Sequence, residues 1–277
     1  MENIVLDTET GGFSRADHSL LSIAMIRCTN HFQTIGEPLH IRIQSDVYHV
    51  TREAMEINQL DLRESGSWIK REDAIPAIVR WLGYPKDIVD LSKPTSVKPR
   101  FRLCGNNIAF DIGFLEKFLG EGLYKRLFFY KGYEVNSGFE NIQSTGVIPP
   151  NFGMKLFEMA AALEIECDTS KTHDALYDAE ITRLVARELH FRTNVLHAAL
   201  EEMLKKYNCG PRTLIACFRS KNPKKRLAEL ASGDISSATS DSVKERKRRQ
   251  RSAAELDEHE SRATKTKTKL KKKKKGK

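Results

Sequence analysis

The 277-residue sequence has no apolar run approaching 18 residues, no CxxC pair and no internal repeat. The first absence excludes a hydropathic transmembrane helix. The second, with an odd number of cysteines, suggests neither a disulfide framework nor a zinc site. Cys28, Cys104, Cys167, Cys209 and Cys217 therefore read as free thiols in a reducing compartment. The opening MENIVLDTET carries acids at positions 2, 7 and 9 and lacks an apolar stretch before a small-residue cleavage site. The expectation is no secretory leader and an intracellular protein, cytoplasmic or nuclear, with no membrane partner. Hydrophobic residues at 40% and charged residues at 30% supply a core and exclude a wholly disordered chain.

The net charge of +9 is unevenly placed. Residues 1–220 hold 26 basic and 29 acidic side chains, and residues 221–277 hold 20 and 8. A pI near 9 thus describes the C-terminal stretch and not the rest. Composition changes near Ser232, where SGDISSATSDS precedes KERKRRQR and a terminal TKTKTKLKKKKKGK. Phe218 is the last aromatic residue, and 232–277 is expected to be a disordered Lys/Arg-rich tail.

Upstream, strands are expected at Asn3–Leu6, Leu20–Ile26, Leu39–Ile43, Phe101–Cys104 and near Leu127–Tyr130. Helices are expected at Arg52–Asn58, Asp73–Leu82, Phe110–Leu119, Met154–Leu163, Asp174–Leu189 and Thr193–Tyr207, the last stopped by Cys209-Gly210-Pro211. Gly83–Pro99 and Gly132–Pro150 read as long loops. The order implies an α/β domain with a mixed sheet, divided as 1–190, a helical extension 191–231 and the tail.

Three clusters could carry chemistry. In Asp7-Thr8-Glu9 the two acids project from one face of a strand end, where a cation would relieve their repulsion. Such an oxygen-rich site suits Mg²⁺ or Mn²⁺, although polar residues at a strand end are also ordinary. Asp111, in Gly105-Asn106-Asn107-Ile108-Ala109-Phe110-Asp111, opens a helix after a strand; it reads equally as an acid favoured by the helix dipole. His173 stands at the entrance of a helix carrying Asp174 and Asp178, whose i, i+4 spacing does not say which is a ligand. A histidine there commonly caps, but beside a metal–carboxylate site it is suited to deprotonating water.

Taken together, DTET, NxxFDxxFL about a hundred residues on, and HxxxxD on a later helix resemble the three motifs of the DEDDh family of 3′–5′ exonucleases. TREAMEINQLDL (Thr51–Leu62) is similar to the family stretch between the third strand and first helix. The resemblance spans roughly residues 3–190. It implies a ribonuclease H-like fold with a central five-stranded mixed sheet flanked by helices. It further implies Asp7, Glu9, Asp111 and Asp178 as ligands of two Mg²⁺ (or Mn²⁺) ions, with His173 as general base, so Asp178 is preferred to Asp174. Thr8, Thr10, Gly11, Asn107, Phe110 and Phe114 are the expected substrate contacts, the two phenylalanines near a terminal base, with core packing the alternative for at least one. The implied substrate is a single-stranded nucleic-acid 3′ end, DNA or RNA, cut to 5′-mononucleotides. Competing readings are a non-catalytic nucleic-acid-binding or interaction module on the same fold, and an enzyme for very short oligonucleotides. The tail reads as a phosphate-binding arm, a sequence recognised by import machinery, or a solubilising extension. Oligomeric state stays open.

Overall fold

Strand β1 (Glu2–Thr10) sets the pattern for the sheet. Its side chains alternate, so Ile4 and Leu6 enter the main core while Asn3, Val5, Asp7 and Glu9 face the other way. β2 (Leu20–Cys28) pairs antiparallel with β1, and β3 (Leu39–Gln44) antiparallel with β2. In this computed structural model residues 1–93 and 98–232 are described. The expected disordered tail lies outside them beyond Ser232, as does part of the expected 83–99 loop.

Helices α1 (Arg52–Asn58) and α2 (Arg71–Trp81) follow, with the two-residue strand β4 (Ile69–Lys70) between them, parallel to β3. Thr51 caps α1 by accepting a hydrogen bond from the Ala54 N–H at 3.1 Å. Ala74, Ile78 and Val79 bury one stripe of α2 against the sheet. β5 (Phe101–Gly105) returns parallel to β1, a pairing that needs the intervening helical crossover. The sheet runs β4-β3-β2-β1-β5-β6. It is mixed, as expected of a ribonuclease H-like fold, and has six strands rather than five.

The sixth strand comes from a region read as loop. After α3 (Ile108–Leu119) and α4 (Glu121–Leu127), β6 (Tyr133–Glu134) pairs parallel with β5, and α5 (Val135–Ser144) begins at once. Val135, Phe139 and Ile142 are buried at i, i+4, i+7, a stripe hidden in the sequence by Gly138 and neighbouring Ser and Asn residues. The strand expected near Leu127–Tyr130 is absent among the described residues. Leu123, Tyr124 and Leu127 are buried with helical spacing, and only Phe128 bridges the sheet, to Phe101.

After α6 (Leu156–Ala162), the two C-terminal helices expected at 174–189 and 193–207 are one, α7 (Ala175–Lys206). No Gly or Pro lies between them, and the Thr193 hydroxyl donates to the Leu189 carbonyl at 2.8 Å, which accommodates threonine inside the helix. The chain divides into two compact units between Val195 and Leu196, within α7. The second unit continues with α8 (Pro211–Phe218) and α9 (Pro223–Ala231).

Candidate active site

Asp7 and Glu9 lie on the face of β1 opposite the main core, with Ala24 and Ser22 as their partners on β2. A register shift follows Glu9, and the chain turns through Gly11. A Cβ on Gly11 would come within 2.3 Å of the His49 carbonyl oxygen. The Gly11 N–H donates to Ser19 O at 2.8 Å, and its carbonyl accepts from Thr51 N at 2.6 Å. Close backbone packing thus accounts for glycine at 11, an expected substrate contact. Thr10 is buried, its hydroxyl donating to Gly12 O at 2.9 Å.

Asp111 sits in the first turn of α3, buried, with Oδ1 accepting from the Thr8 hydroxyl at 2.7 Å. Thr8, also expected to touch substrate, is therefore engaged inside the protein. Asn107 has φ 58° and ψ 43°, a left-handed conformation that asparagine tolerates, and turns β5 into α3. Its side chain makes no cap. Instead the Asn107 and Ile108 N–H groups both donate to the Glu134 carboxylate, at 2.9 Å each, which sets the N-terminus of the helix bearing Asp111. The sequence reading missed Glu134 because it lay in the assumed loop; the only signal is an acid directly before the buried Val135.

Asp178 is half-buried on α7. Its Oδ2 accepts the His173 N–H at 3.2 Å, while Oδ1 is buried with no hydrogen-bond partner among the described residues. Asp174 is exposed and its Oδ1 accepts from Tyr177 N at 2.9 Å, the bond expected of a helix-capping acid. His173 is exposed, with φ 67°.

Burial and mutual repulsion dominate the electrostatics. Desolvation, then the charges of Asp111, Glu9 and Asp178, hold the Asp7 carboxyl well above its ordinary range. Glu9 is pushed up to about 8, by burial first and then by Asp178 and Asp111. Burial raises Asp111 to about 7 against the opposing Thr8 hydrogen bond, and raises Asp178 against the bond from His173. Asp7 and Glu9 thus stand in the repulsive field of Asp111 and Asp178.

Among the described residues no three His, Cys, Asp or Glu side chains converge closely enough to chelate one ion. Asp111 is turned to Thr8 and Asp178 to the His173 backbone. The donors are nevertheless all hard oxygens, and the unpartnered Oδ1 of Asp178 is an acceptor in want of a cation. In donor chemistry the set fits Mg²⁺ or Mn²⁺.

The two expected base-contacting phenylalanines separate. Phe114 is 2% exposed and belongs to the interior, the core-packing role given as the alternative for at least one of the pair. Phe110 is half-buried, its ring 5.0 Å from that of Phe114 and 6.4 Å from that of Phe13. Phe13, absent from the sequence-derived set, is 86% exposed; its signal was an aromatic directly after Gly11-Gly12. A cleft of about 540 Å³ opens beside Glu9 and His173, lined also by His40, Arg42, Asn58 and Lys171.

No family model and no curated protein matches the chain. Solved structures do. E. coli exonuclease I in complex with a dT13 oligonucleotide superposes with a TM-score of 0.56 at 17% identity over 75% of this chain and 44% of that one. A moderately thermophilic exonuclease I from Methylocaldum szegediense gives 0.55 at 18% identity, over 79% and 46%. The zinc-ion-bound E. coli exonuclease I complex with single-stranded DNA gives 0.54 at 17%, over 74% and 43%. The chain spans less than half the length of these relatives. It has their fold, ribonuclease H-like.

Proposed function

We propose that the protein is a divalent-metal-dependent 3′–5′ exonuclease acting on single-stranded nucleic-acid ends. The observation that carries the reading is the placement of Asp7, Glu9, Asp111 and Asp178 in mutual repulsion, with His173 beside Asp178. Exonuclease I, bound to single-stranded oligonucleotides in several of the similar structures, supports the substrate class.

Asp7, Glu9, Asp111 and Asp178 would hold two Mg²⁺ or Mn²⁺ ions. When bound, such ions lower the pKa of water and stabilise charge on a leaving oxygen. The exposed His173 imidazole accepts the proton of the attacking water. That water adds to the terminal phosphorus as the bond to the preceding 3′-oxygen breaks, and this oxygen takes a proton from solvent, leaving a 5′-mononucleotide and a strand one residue shorter with a free 3′-hydroxyl. Glu134 holds the α3 N-terminus, and Thr8 supports the Asp111 carboxylate from the side. Phe13 and Phe110 offer aromatic surface to the terminal base.

Purified protein with Mg²⁺ or Mn²⁺ is expected to release 5′-mononucleotides from a 3′-terminal single strand, and Asp7→Asn to abolish release without unfolding. His173→Ala is expected to lower the rate by orders of magnitude while leaving metal binding intact. Wild-type product release by Asp7→Asn refutes the mechanism. The open spacing of the carboxylates favours, as a second reading, a non-catalytic binding module; no product with either metal, alongside retained strand binding, would establish it.

A further inference from the structure

Charge is divided between the two units with opposite signs. Residues 1–195 hold 22 Lys/Arg and 27 Asp/Glu, whereas residues 196–232 hold 8 and 3. Part of the basic excess of residues 221–277 thus lies before Ser232, in a helical unit.

Within that unit α8 and α9 pack as a pair, burying Leu214, Cys217 and Leu230. Asn222 closes the short connection, its side chain accepting from Lys225 N at 3.1 Å. Arg212, Arg219, Lys221, Lys224 and Lys225 are all exposed. Among the described residues none of the five forms an ion pair, and the one acid after Glu202, Glu229, is paired with Arg226 at 3.2 Å. Helix stability does not explain this distribution. Arg212 lies in the first turn of α8 and Lys224 and Lys225 in the first turn of α9, where the macrodipole opposes positive charge, and neither turn contains an acid. Phe218, directly before Arg219, is 50% exposed although it is the last aromatic of the chain.

We propose that the α8–α9 pair is a second nucleic-acid contact, separate from the acidic site. Arg212, Arg219, Lys221, Lys224 and Lys225 hold the phosphate backbone of a single strand, and Phe218 stacks on an unpaired base. Exposed cations joined to a solvent-facing aromatic are what sequence-tolerant single-strand binding requires, because phosphate supplies attraction and every base has a stacking face. The identity of the polyanion rests on the function proposed above; its binding does not require catalysis. The contact would anchor strand to a chain whose acidic unit repels phosphate.

The test uses the full chain without divalent metal, so that no strand is cut, and measures affinity for a fluorescent single-stranded 30-mer across salt concentrations. Changing Arg212, Arg219, Lys221, Lys224 and Lys225 to Gln one at a time and cumulatively is expected to lower the salt slope by about 0.7 per contact, reaching about 3.5 when all five are changed. Arg212→Lys with Arg219→Lys keeps the charge and is expected to keep the slope. Phe218→Ala is expected to weaken single-strand binding about five-fold or more and to leave blunt-duplex binding unchanged. An unchanged slope throughout the Gln series overturns the proposal. So does polyglutamate competing as well as a single strand, which would assign the surface to an acidic protein. Because binding is read without metal, a wild-type protein lacking nuclease activity would overturn the preceding function and leave this result standing.

Discussion

Removing one carboxylate from the acidic site should stabilise the metal-free protein, and the gain should vanish when metal is added. Glu9 is the cleanest choice. Its side chain is largely buried, and its carboxyl stands at about 8 in the folded chain against an ordinary 4.5. The raised value means that the folded state binds the proton more tightly than the unfolded state. This contribution is fully present below about pH 4.5 and is lost as pH rises through about 8. Each pH unit between the two values is worth about 1.4 kcal/mol, so the contribution is at most on the order of 5 kcal/mol, reduced by whatever relaxation and water entry the site allows. Glu9→Gln is isosteric and neutral. In EDTA at about pH 8.5 it is expected to be more stable than wild type by about 2 to 4 kcal/mol, and at about pH 4.5 nearly equal to it. Exposed acids with lowered values, such as Asp61 and Asp168, contribute with the opposite sign but cancel between the two proteins. Divalent metal closes the gap: Mg²⁺ at a hundred times its dissociation constant stabilises wild type by about 2.7 kcal/mol, and the variant, short of a ligand, by less. Urea denaturation at the two pH values, with and without Mg²⁺, measures all four stabilities. Equal wild-type and Glu9→Gln stabilities at pH 8.5 in EDTA, or a Mg²⁺ shift of the same size in both, would refute the reasoning.

Thr8→Val removes the hydroxyl that donates to Asp111 and leaves a buried carboxylate oxygen unpaired, an expected loss of about 1 to 3 kcal/mol in urea titration. Gly11→Ala sets a Cβ against the His49 carbonyl oxygen; overpacking of about 1 to 3 kcal/mol is expected, and an unchanged midpoint would mean that the turn yields freely. Phe114→Ala is expected to cost about 3 to 5 kcal/mol of stability. Phe110→Ala and Phe13→Ala should cost less stability and instead raise KM for single-stranded substrate; the reverse assignment in paired melts and kinetics would return Phe114 to the binding surface.

Much of the fold was legible because its signals are local. The alternation that places Ile4 and Leu6 on one side of β1 and Asp7 and Glu9 on the other follows from a two-residue period, and α1 was readable from Arg52 to Asn58. What was misread needed distant partners. Phe128 reads as part of a strand until Phe101 is known to be its only bridge, and β6 is two residues long because β5 is there to receive it. α7 was divided at residues 190–192, although no Gly or Pro lies there and the helix runs on through Thr193, whose hydroxyl bonds back to Leu189.

At the site, residue types and spacing offered Asp7, Glu9, Asp111, His173 and an acid on the following helix only as candidates, each with an ordinary structural reading beside it, and the resemblance to the three exonuclease motifs joined them. Bond geometry distinguishes Asp174, occupied in capping α7, from Asp178 with its unpartnered oxygen. The fold also sent Phe114 inward, left Phe13 in solvent, and brought Glu134 from 26 residues away to the start of α3. Composition and local periodicity are properties of the chain taken a few residues at a time, and these the sequence determined by itself. Exposure, carboxylate repulsion and the division of charge between two units depend on which distant segments meet, and only the tertiary structure decided them.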